Sequence, residues 1–100
     1  MHIARTITNR PLIFALLTGC GLRSAGPVLS AEVVGFMTPG AIGAELAVIE
    51  AGGHRIVCQL ATWQGAGMLI DGRAARGQEL RRAREAVNRF LQGVIDEERA

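Results

Sequence analysis

The sequence predicts an α/β protein in which a strand–helix–strand unit is followed by a long C-terminal amphipathic helix. Three observations carry that prediction. The stretches "EVVGFM" and "HRIVCQL" are rich in β-branched and large apolar residues, as strands are. Between them, "TPGAIGAELAVIEAGG" carries the start and stop signals of a helix. Beyond them, residues 74–98 hold apolar residues at helical spacing. One hundred residues with 49% hydrophobic content suffice for one small domain with a modest core.

The first strand is expected over 32–37 and the second over 54–60. In the intervening segment Thr38 can serve as an N-cap, and Pro39 stands where a helix tolerates proline best. Ile42, Leu46 and Ile49 follow at i, i+4 and i+7, and Gly52 and Gly53 supply a C-terminal stop. These signals place a helix over 39–51, with Val33–Phe36 paired in parallel with Arg55–Cys58. A competing reading makes "EAGGHR" a two-residue hairpin with Glu50 opposite Arg55. The composition of 44–51, three alanines and two glutamates, favours the helix.

In the C-terminal helix, Leu80, Ala83, Val87, Phe90, Leu91, Val94 and Ile95 form one apolar stripe. That stripe can pack on the sheet or pair with another chain, through Leu80, Val87, Phe90, Leu91 and Val94. Arginines crowd the helix start, whereas Asp96, Glu97 and Glu98 sit in its last turn. This order opposes the helix dipole, so the end is expected to fray. The arginines alternate with Glu79 and Glu85 and have no aromatic platform beside them, which fits a solvated face rather than a nucleic-acid surface. Asp71 and Gly72 read as a turn before this helix.

A strand, a glycine-containing turn and a helix together suit a pyrophosphate, because free N–H groups and the positive end of the helix dipole converge there. Here the turn is "TPGAIG", with Gly40 and Gly43 at the second and third positions of the Gly-x-Gly-x-x-Gly fingerprint and Thr38 at the first. "VVGFMTPGAIGAELA" and "AGGHRIV" resemble the opening of the 6-phosphogluconate and β-hydroxyacid dehydrogenases, over about residues 33–57. The resemblance implies a partial Rossmann-like β-α-β unit, with 32–100 as a partial dinucleotide-binding domain. It also implies that Thr38, Pro39, Gly40, Ala41 and Ile42 line a phosphate turn and that Gly43 permits close helix–strand packing. "DGR" resembles a segment after the second strand that would set Arg73 against the 2′-phosphate of NADP. No acid stands where a partner for the ribose hydroxyl of NAD is expected, so NADP is the cofactor implied. The family's catalytic lysine has no counterpart in a chain without lysine. The function implied is therefore the NADP-binding portion of an oxidoreductase, with no catalytic residue assigned and a cytoplasmic location.

Residues 1–31 form a separate apolar extension or signal-like segment, in which Arg5 and Arg10 precede the run Leu12–Leu17. "LTGC" resembles the lipobox of bacterial lipoproteins, with Cys20 as the lipidated residue. That gives the alternative function, a lipid-anchored envelope protein with a binding or assembly role. The competing reading packs the segment on the domain. Cys20 and Cys58 have no metal-type spacing around them, and no metal site is assigned. Cys58 reads as a small buried hydrophobe, His54 as a turn residue, and Trp63 and Met68 as cover for a sheet edge.

Overall fold

The computed structural model describes residues 2–37, 45–59 and 67–99. Its elements are β1 (His2–Ile7), α1 (Arg10–Gly19), β2 (Ala31–Met37), β3 (Glu45–Ala51), β4 (His54–Gln59), β5 (Met68–Ile70), β6 (Arg73–Ala74) and α2 (Gly77–Arg99). The six strands form one sheet in chain order, and every neighbouring pair is antiparallel. The α/β composition and the long C-terminal helix match expectation.

The strand–helix–strand unit does not. Residues 45–51, expected as helix, are β3, inserted between β2 and β4, so β2 and β4 are not neighbours and no parallel pair is present among the described residues. The remainder of the expected helix, up to residue 44, lies outside the described residues. Leu46 and Ile49, one helical stripe on paper, fall on opposite faces of a strand: Ile49 is buried in the core and Leu46 is only partly covered. Local composition favours helix here by a few tenths of a kcal/mol per residue. Cross-strand pairing on both sides of β3 outweighs it.

The Gly-Gly pair fixes the outcome. Gly52 and Gly53 have φ of 58° and 82°, the left-handed conformations that a type I′ hairpin needs at both central positions. Ala51 then pairs with His54 and Glu50 with Arg55. Asp71 and Gly72, with φ of 52° and 81°, repeat this geometry between β5 and β6, so they close a hairpin rather than merely preceding the last helix.

The residues before β2 belong to the same body. Asn9 caps α1 by accepting the Leu12 N–H at 3.1 Å, with Pro11 in the first turn. Ile13, Leu16 and Leu17 of α1 join Ile7 of β1 in a core that continues through Val33, Ile49, Ile56 and Ile70 to Ala83, Val87, Phe90 and Val94 of α2. Leu80 and Leu91 pack against that core as partly buried residues, and Ile95 is exposed. The helix runs to Arg99 despite its opposed charge order, and the Asn9 amide donates to Glu97 Oε1 at 2.6 Å, tying the end expected to fray to the start of α1.

Candidate functional site

Of the residues assigned by resemblance, the structure describes only Arg73. Thr38, Pro39, Gly40, Ala41, Ile42 and Gly43 lie outside the described residues. They join two antiparallel strands, and the chain that follows them is β3, so a helix dipole aimed at a phosphate is not supplied by 45–51. Arg73 is on β6, three strands from β3, which is roughly 14 Å at ordinary strand spacing. Its two terminal nitrogens donate to the two Glu79 carboxylate oxygens at 2.7 and 2.9 Å. This bidentate pair holds the Glu79 carboxyl below its usual range and the Arg73 guanidinium above its own. A cofactor phosphate would have to displace Glu79 to reach the same fork.

Neither cysteine is poised to react. Both side chains are buried and free, and burial is the main cause of a Cys20 thiol pushed up to about 11, with Cys58 raised for the same reason. Cys20 also closes α1, its N–H donating to Leu16 O. A mature chain starting at Cys20 would lack β1 and α1 altogether.

His54, read from sequence as a turn residue, is the hub of a polar cluster. Its Nδ1 lies 2.6 Å from Asp71 Oδ2 and its Nε2 lies 2.5 Å from the Arg23 carbonyl oxygen. The second Asp71 oxygen accepts the Arg55 N–H at 2.8 Å. Two acceptors facing two ring nitrogens favour the imidazolium, which donates from both. The Asp71 hydrogen bond and then the Arg23 carbonyl raise His54 above its ordinary value, while the Arg55 N–H and then His54 depress Asp71. With both nitrogens engaged, His54 offers no free lone pair to a substrate. It straps the α1–β2 connection to both hairpin turns. Among the described residues, no group of three His, Cys, Asp or Glu side chains could hold a metal ion, and no helix is long and apolar enough to cross a membrane.

What remains is the sheet itself. The helices share a core with one face, whose residues Ala31, Val33, Ala47, Ile49, Ile56, Cys58, Met68 and Ile70 are buried. A sheet solvated on its other side normally alternates apolar with polar residues. Here the alternate positions at the middle of the strands are apolar too. Register aligns Ala4, Val34, Val48, Val57, Leu69 and Ala74 in one row across all six strands. Ala4, Leu69 and Ala74 are exposed, and the three valines are half-buried. A shallow depression between Leu46, Val57, Gln59, Leu69 and Ala74 adjoins the row. The molecule measures 39 × 34 × 19 Å, and the shortest dimension accommodates one sheet and one layer of helices.

No family model, curated protein or solved structure matches this chain.

Proposed function

We propose that this chain is a binding and assembly module whose working surface is the open face of its sheet. The observation that carries the reading is the two-sided apolar character of the strands: "VV", "AVI", "IVC" and "MLI" read as strands covered on both faces, while α1 and α2 cover only one. Contiguous apolar surface of this kind marks an interaction site more often than a bare solvated face. A protein partner fits better than an anionic bilayer. The row beside the apolar one carries Thr6, Glu32, Glu50 and Arg55, so its border is not the basic one that such a bilayer attracts.

The test is to place a charge at the centre of the row. Val48→Glu is expected to leave the far-UV circular dichroism unchanged, because its side chain points away from the core, and to abolish binding of an apolar fluorescent dye by dilute protein. Undiminished dye binding by the folded variant would locate the apolar surface elsewhere and overturn the reading.

A further inference from the structure

The geometry points to a second copy of this chain as the occupant of the open face, related to the first by a two-fold axis that runs along the strands between β3 and β4. This rests on the reading of that face as a binding surface. Such an axis reverses the order of the strands and keeps the level along them, so each row meets itself backwards. The apolar row is nearly the same read in either direction: Ala4, Val34, Val48, Val57, Leu69, Ala74. Val48 then meets Val57 of the second copy, Val34 meets Leu69, and Ala4 meets Ala74. Small residues oppose small ones at the corners, and larger ones oppose each other at the centre.

The charges follow the same symmetry. Glu50 and Arg55 are cross-strand partners on either side of the proposed axis. Rotation brings Glu50 of each copy over Arg55 of the other. Within one chain this pair is loose, with Arg55 Nε 3.8 Å from Glu50 Oε1 and the side chains 64% and 60% exposed, so both groups remain free to turn toward a facing partner. Glu32 lies one strand farther out, held by Thr6 Oγ1, which donates at 2.9 and 3.1 Å to its two oxygens. Packed sheets cross at about 30°, so their corners diverge and leave Glu32 in water. In size, four strands of ~20–23 Å and the short β5 and β6 of ~10 and ~7 Å, at ~4.8 Å spacing, present roughly 500 Å² in projection, and the corrugated surface approaches the ~800 Å² per partner of a standard interface.

The test uses the intact chain and sedimentation or light scattering at about 100 µM, above the micromolar limit of interfaces of this size. Wild type should have twice the 10.6 kDa chain mass. Glu50→Arg places four cations along the contact and Arg55→Glu four anions, so each variant alone should be monomeric and folded. Mixed in equal amounts, the two should form a heterodimer, because every facing pair is then opposite in sign. Mixing cannot repair a contact inside one chain, so regained mass identifies a contact between copies. Dimers that survive both substitutions, or variants that stay monomeric on mixing, would overturn the arrangement. A monomeric wild type whose dye binding is lost in Val48→Glu would refute self-association and leave the binding face for another protein. A monomeric wild type that binds no dye would remove both.

Discussion

His54 shows how a residue with catalytic vocabulary can serve architecture. A carboxylate on one ring nitrogen is the beginning of an acid–base arrangement, but the other nitrogen is closed by the Arg23 carbonyl. The consequence is a pH-dependent strap. Stabilisation from the raised His54 is fully present below its ordinary value of 6.5 and is lost as pH rises through the higher folded value. Stabilisation from the depressed Asp71 is present above its ordinary 3.8 and is lost as pH falls through the lower folded value. The strap is therefore strongest between those two ordinary values. Exposed pairs contribute ~0.2–1 kcal/mol, and 1 kcal/mol moves the melting temperature of a domain this small by about 4–8 °C. Thermal melts should show His54→Gln lowering Tm by a few degrees near pH 5.5, with the difference shrinking toward pH 9. A difference that does not vary between those two pH values would show that the strap is not ionic.

At the scale of elements, α1 and α2 pack antiparallel through close contacts at two glycines. A Cβ on Gly19 would lie 2.4 Å from Ala86 Cβ, and one on Gly93 would lie 2.7 Å from a Leu12 methyl. The two sites differ in what must yield. Ala86 Cβ is fixed to backbone, whereas the end of Leu12 can rotate. Gly19→Ala should cost ~1–3 kcal/mol by overpacking, while in Gly93→Ala a gain of ~1 kcal/mol in helix propensity offsets a smaller clash. Denaturant titration of the two variants should rank Gly19→Ala as clearly less stable than Gly93→Ala, and the reverse order would contradict this packing. α2 was legible in the sequence because its stripe is long and the burial of Val87, Phe90 and Val94 follows its period. β3 was not, because Leu46 and Ile49 satisfy a helical period while a strand apolar on both faces shows no alternation, and only partners remote in sequence choose between them. The Gly52–Gly53 hairpin was visible as an alternative, but the alanines and glutamates of 44–51 argued for helix without reference to β2. The α1 core residues were hidden inside a run that reads equally well as a signal.

The candidate site was illegible for a different reason. A phosphate turn is contiguous in sequence, whereas the open face takes one residue from each strand, and only the register brings Ala4 beside Val34 or Val57 beside Leu69. The clue that could have raised it was the failure of polar alternation in four separate strands. The core has the same long-range character. It runs unbroken from Ile7 to Val94, across the boundary expected near residue 31. A chain processed at the "LTGC" sequence would begin at Cys20 and lose Ile7, Ile13, Leu16 and Leu17, together with the strand that pairs with β2. Truncating a single buried Leu or Ile costs ~2–5 kcal/mol, and four such losses match or exceed the ~5–15 kcal/mol that holds a domain folded. The chain beginning at Cys20 should therefore show no cooperative thermal transition by circular dichroism, whereas the full chain melts in one step. A cooperative melt of the shortened chain would mean that β2–β6 and α2 form a core of their own, and that β1 and α1 merely lie against it.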